Sequence, residues 1–194
     1  MYKYLFLIGL IFSLKANENL PSPLPRGEII FHGATIHPVS SQSFKGDLHV
    51  DNGKITKLVA INESKLPEKK EGIQLISCEG LHIYPGMISS NSVLGLTEIR
   101  AVRATRDMIE TGDINPNVRA EVAVNPDSEL FPVTRSNGVL HVLSVPQSNG
   151  LIAGKSALMG LDGWTWEDMV VKSSVAMHLK WPLVPDSDMA TNSK

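Results

Sequence analysis

Asp51-Asn52-Gly53 stands between two runs of strand-forming residues, Asp47-Leu48-His49-Val50 and Lys54-Ile55-Thr56-Lys57-Leu58-Val59. Asn-Gly adopts the positive backbone dihedrals of a tight turn at little steric cost, and that turn matches the twist of paired strands. The chain must therefore reverse here as an antiparallel hairpin, which commits the surrounding segment to a β-rich block. Further strand candidates flank it. Glu28 to His37 is rich in Ile, Phe and Thr and breaks at Pro38, while Gln74 to Cys78 and Leu81 to Ile88 are separated by Glu79-Gly80. Several short strands at this spacing predict a small sandwich or partial barrel. On such strands His32 and His37 fall on opposite faces, whereas His82 shares a face with Tyr84 and His49 with Asp47. Neither pair brings a third convergent ligand, so strand-surface roles are expected for all of them.

The pattern changes near Ser89. Between Gly95 and Asn117 the apolar residues Leu96, Ile99, Val102 and Met108 fall at mixed spacing among charges, and a short helix is placed within Glu98 to Glu110. Asn125-Pro126-Asp127-Ser128 then offers helix N-cap chemistry, with Asp127 and Glu129 suited to the positive end of a helix dipole. Pro132 must sit in the first turn of that helix, and Asn137-Gly138 stops it. Val139 to Val145 follows as a continuous apolar run before Pro146. A helix ending in Gly and leading at once into an apolar strand is the half-unit of a parallel α/β barrel or sheet.

Asn149-Gly150-Leu151-Ile152-Ala153-Gly154-Lys155-Ser156 comes close to a phosphate-binding loop. That motif needs four residues between its first Gly and the Gly-Lys-Ser, and here Asn149 holds the place that Gly150 misses. Gly160 and Gly163 also interrupt the helix that should follow, so an ordinary loop is the better reading. Trp164 and Trp166 flank a strand and are read as capping a core rather than stacking on a sugar.

The N-terminus carries Lys3, an apolar stretch from Leu5 to Leu14 and a return to polar chain at Lys15-Ala16-Asn17. An apolar stretch of about ten residues is too short to span a bilayer but suits a signal peptide, with cleavage expected after Ala16 and an uncleaved anchor as the alternative. The expectation is an exported protein, periplasmic or secreted, with no stable membrane span once the leader is removed. A formal net charge of −2 gives no electrostatic case for nucleic acid. Cys78 is the one cysteine, which excludes an internal disulfide and leaves stability to packing.

Three stretches in order carry a resemblance: Gly33-Ala34-Thr35-Ile36-His37-Pro38, Asp51-Asn52-Gly53-Lys54-Ile55 and Tyr84-Pro85-Gly86-Met87-Ile88. Together with the helix-Gly-strand unit, they make the chain resemble the start of amidohydrolase-superfamily proteins, including imidazolonepropionase-like members. The resemblance runs from about Glu28 to Trp181. It implies a small β-sandwich beside a metal-dependent (β/α)8 barrel and hydrolysis of a non-peptide carbon–nitrogen bond. The resulting fold class is mixed α/β: a signal peptide over 1–16, a linker over 17–26, a β-sandwich-like block over 27–84, the first part of an incomplete (β/α)8 barrel over 85–184 and a disordered tail over 185–194.

The departure from that family is specific. Its members continue the Pro-Gly strand with an Asp and a His-x-His pair, whose two imidazoles share a strand face and so reach one metal. Here the Asp slot is Ser89, and the His slots are Asn91 and Val93. Asn is a poor zinc ligand and Val is none, so no metal cofactor is expected for this chain, although zinc is implied for complete members. A barrel of eight strands needs about 250 residues, and the later ligands the family implies have no positions here. The chain is read as the front piece of a longer protein and as catalytically incompetent by itself. An amide-type small molecule is the implied substrate of a complete form. Ser89, Glu98, Arg100 and His141 are the candidate pocket residues, with a solvated helix face and a packed core histidine as the competing readings for the charged group and for His141. A secreted β-rich binding module is the alternative to an enzyme.

Overall fold

The computed structural model describes residues 20, 21, 23, 25–61 and 72–181. The expected signal peptide, half of the linker and the expected tail lie outside the described residues. The chain divides into two compact units, Ser22–Gly86 on one hand and Met1–Pro21 with Met87–Lys194 on the other.

In the first unit, β1 (Glu28–Ile36), β2 (Phe44–Asp51), β3 (Lys54–Ala60), β4 (Ile73–Ser77) and β5 (His82–Ile83) form one sheet, in the order β3-β2-β1-β4 with β5 also beside β1. The hairpin expected at Asn52-Gly53 joins β2 to β3, with Asp51 opposite Lys54 and φ of 47° and 77° at the two turn residues. β1 is the hub. It pairs antiparallel with β2 and parallel with both β4 and β5. The described residues of this unit thus form a five-stranded sheet, a β-rich block as expected. One face is apolar, with Ala34, Ile36, Leu48 and Cys78 buried and Phe31, Phe44, Val50, Ile76 and Ile83 packed against them. Cys78 is thus a core thiol.

The β1–β2 register slips between Phe31 and Ala34, and Gly33 adopts φ 77° there. Such a bulge leaves a backbone donor outside the ladder. Asp47, buried on β2, supplies the acceptor: its Oδ1 accepts the Gly33 N–H at 2.9 Å and lies 2.8 Å from His32 Nδ1. The bulge also alters the simple alternation on which the opposite-face reading of His32 and His37 rested.

In the second unit, β6 (Met87–Ser92), β7 (Val139–Ser144), β8 (Ile152–Gly160) and β9 (Val170–Leu179) lie side by side in that order. Helix α1 (Leu130–Ser136) crosses from β6 to β7, and that strand pair is parallel. Pro132 falls in its first turn, where its missing N–H costs nothing. Gly138, at φ 83°, follows the helix. A barrel would repeat this parallel step. Instead β8 and β9 join antiparallel, so the expected barrel arc is limited to one parallel unit among the described residues. The core gathers Leu96, Ala120, Val124, Phe131, Val142, Ala157, Met159, Leu161 and Met169. Trp166, in the short helix α2 (Trp166–Met169), packs against it, whereas Trp164 is exposed.

Two expectations are corrected here. Glu98 to Glu110 is not a helix but a folded-back loop with one 3-10 turn at Arg103–Thr105. Asp107 N–H donates to Leu96 O, and Glu98 N–H donates to Thr105 O. The Thr105 hydroxyl accepts the Ile99 N–H and lies 3.0 Å from the carbonyls of Ile99 and Val102, competing with helical pairing. The glycine-punctuated stretch after Gly150 is not a loop. Lys155 and Ser156 lie inside β8, which carries no helix N-terminus to receive a phosphate.

Candidate functional site

Ser89 and Asn91 lie on β6, and Val93 follows just beyond its end. The pairing between β6 and β7 is irregular from Ser89 to Ser92, so the strict two-residue alternation that would aim a ligand pair in one direction is broken. Asn91 is exposed, while Val93 packs on the hydrophobic core. One position therefore faces water and the other serves packing. No group of three or more His, Cys, Asp and Glu residues able to hold a metal occurs among the described residues. The side chains at this address do not suit a zinc.

The remaining expected pocket residues do not converge. His141 is the register partner of Ile88 and Ser89 that of Val142, so His141 and Ser89 face opposite sides of the sheet. Glu98 ties two turns together: its carboxylate accepts from Ser128 Oγ at 2.9 Å and from Asn125 Nδ2 at 3.3 Å. It holds the entry to α1. Arg100 is exposed on the loop. The flanking chain depends on Gly95, at φ 78°, where an added Cβ would lie 2.9 Å from both Phe131 Cζ and Val124 Cγ1.

Two open clefts flank this loop. The larger, of 1020 Å³, is lined by Arg103, Arg106, Asp107, Glu110, Asp113 and Asn149, among others. The smaller, of 340 Å³, lies between Met108, Glu110, Asn117, Arg119, Ala120 and Pro146. Both signs of charge line the larger cleft. Glu110 is held below the usual carboxylate range by the Thr111 backbone N–H and then by the Thr111 hydroxyl. Neither cleft contains Ser89, Asn91, Val93, Glu98, Arg100 or His141.

Three polar arrangements lay outside the sequence reading. Glu121 is fully buried, and its Oε1 accepts from Arg119 Nε and Nη2, each at 2.8 Å, and from Ser173 Oγ at 2.6 Å. Burial pushes the carboxyl up, but Ser173, the residue's own backbone amide and Arg119 outweigh it and hold the group below the usual range. Glu121 Oε2 and His178 Nε2 are buried with no partner among the described residues, and burial pushes the His178 imidazole down. The third is a ring stack. His37 lies parallel to Tyr84 with centroids 4.2 Å apart; its Nε2 is 2.8 Å from His82 Nδ1, and its Nδ1 is 2.8 Å from Ser43 Oγ. His37 follows the end of β1 and His82 opens β5, so only knowledge of the β1–β5 pairing could have found them.

A scan against protein-family models and a search of curated proteins return no match. Among solved structures, an amidohydrolase from Thermotoga maritima MSB8 is similar, with a TM-score of 0.70 and 25% identity. The match covers 84% of this chain and 41% of that one. The fold is amidohydrolase-like, and the chain spans about two-fifths of that structure's length.

Proposed function

We propose that the protein is an exported hydrolase of the amidohydrolase type, imidazolonepropionase-like, and that these 194 residues are its N-terminal part. The observation that carries this reading is the structural likeness, which extends over most of this chain but under half of the amidohydrolase it resembles. The reaction proposed for the complete form is addition of water to the carbonyl carbon of a non-peptide amide, followed by breakage of the carbon–nitrogen bond as the nitrogen takes up a proton. The substrate is a small amide-type molecule, and nucleic acid is not a partner. This chain by itself does not catalyse the reaction. Asn91 and Val93 stand where the family resemblance places metal ligands, and the other candidate pocket residues do not meet in one cavity. Export rests on the sequence of the leader. Among the described residues no helix is long and apolar enough to cross a membrane.

A binding module is the second reading, and β9 favours it. This outer strand exposes the apolar side chains of Val171, Val175, Met177 and Leu179, which suit burial against another surface.

Two measurements test the first reading. The encoding DNA beyond Lys194 is expected to continue into barrel-like sequence in some frame, and non-coding sequence would remove the claim that this is a fragment. The purified chain, assayed on cyclic amides and ureas, is expected to give no turnover above buffer. Measurable turnover would overturn the claim of incompetence.

A further inference from the structure

We propose that His37 and His82 form a surface site for an imidazole-preferring divalent transition cation, Cu2+, Ni2+ or Zn2+, on the first unit. Nothing in the function proposed above uses these residues.

The two ligand nitrogens already stand at nearly the spacing of a two-imidazole chelate. His37 Nε2 and His82 Nδ1 face each other at 2.8 Å. Two nitrogens bound cis to one metal at about 2.1 Å each stand about 3.0 Å apart at a right angle. The 5.1 Å between ring centroids sets the rings end to end along the hydrogen bond, so the ion enters as each ring turns by about 45° to aim its lone pair off that line. Backbone pairing holds both residues in place. Thr35 is the register partner of His82 and Ile36 that of Ile83, while His37 N–H donates to Ile83 O at 3.0 Å. The ring of Tyr84 lies within 9° of parallel to His37 and fixes the plane of that imidazole. Ser43 Oγ sits on the outer nitrogen of His37, where it can accept the Nδ1–H and leave the Nε2 lone pair for a metal. Ligand imidazoles are oriented in this way by a second partner.

Without a metal, one proton must lie between the two facing nitrogens. On binding it moves to the far nitrogen of the His82 ring, so two neutral imidazoles take up the cation with no net proton release. Water completes the coordination. First-row affinity at such nitrogen sites rises from Ni2+ to Cu2+ and falls again at Zn2+.

The test is calorimetric titration of the full chain with NiCl2. One saturable equivalent is expected. His37→Gln and His82→Gln should each abolish it, Ser43→Ala should weaken it about tenfold, and His49→Gln, which removes an imidazole engaged by Glu28, should leave it intact. His82 is exposed, so its variant is expected to keep the wild-type circular dichroism spectrum. Absence of saturable uptake by the wild-type chain would overturn the proposal. So would undiminished uptake by both His37→Gln and His82→Gln.

Discussion

Replacing Asp47 with Ala removes the acceptor that closes the bulge in β1. Two donors lose their partner, and they are not equivalent. The Gly33 N–H is buried and held by the backbone, so it cannot turn to water; stranding such a donor costs about 1–3 kcal/mol. His32 retains some solvent contact and can rehydrate, which limits its share to about 1 kcal/mol. The expected destabilisation is therefore about 2–4 kcal/mol. Urea unfolding followed by far-ultraviolet circular dichroism measures it, as a lower midpoint with an unchanged slope. Amide exchange at Gly33 should accelerate in parallel. Asp47→Asn keeps a carbonyl oxygen for the Gly33 N–H and should lose about half as much. His32→Ala should lose less than Asp47→Ala, because the carboxylate still holds the bulge. A midpoint for Asp47→Ala equal to wild type, or an Asn variant as damaged as the Ala variant, would refute this account.

Two further outcomes follow from the second unit. Gly95→Ala combines a positive φ with a Cβ that meets Phe131 and Val124 at 2.9 Å, and should cost about 2 kcal/mol or more in thermal or urea unfolding. His178 is pushed below its ordinary value by burial, so its contribution to stability is fully present above the unfolded value of about 6.5 and is lost as pH falls through the folded value. His178→Leu should flatten the stability profile below that pH; an unchanged slope would show that the imidazole is not the group responsible.

Local chemistry was legible and long-range pairing was not. Asn52-Gly53 fixed its own turn because two residues there settle the backbone, and Asn137-Gly138 marked the end of α1 for the same reason. The apolar run from Val139 became β7, with Val142 and Ser144 buried and Leu140 exposed, since a short apolar run bounded by Gly138 and Pro146 reads as a strand without reference to its partners. The loop at 98–110 misled because its charges and apolar residues suit a helix loosely, while Thr105 spends its hydroxyl on the backbone instead. Lys155-Ser156 misled through a motif whose structural context, a turn before a helix, is replaced by the middle of β8. At the candidate site, the residue types at Ser89, Asn91 and Val93 could be read one by one. The burial of Val93 against the core, the opposite facing of Ser89 and His141, and the meeting of His37 with His82 depend on strand register, which no local pattern encodes.

The central place of β1 has a consequence for synthesis. Its first partner, β2, emerges soon after it, so the β1–β2–β3 meander can form from adjacent segments while the chain is still growing. Its parallel partners arrive only with Ile73 and His82, and joining them closes a long loop, which slows assembly. Until then β1 presents an open edge to the crowded surroundings of a nascent chain. For an interval of every translation round, this strand is ready to pair with the wrong neighbour.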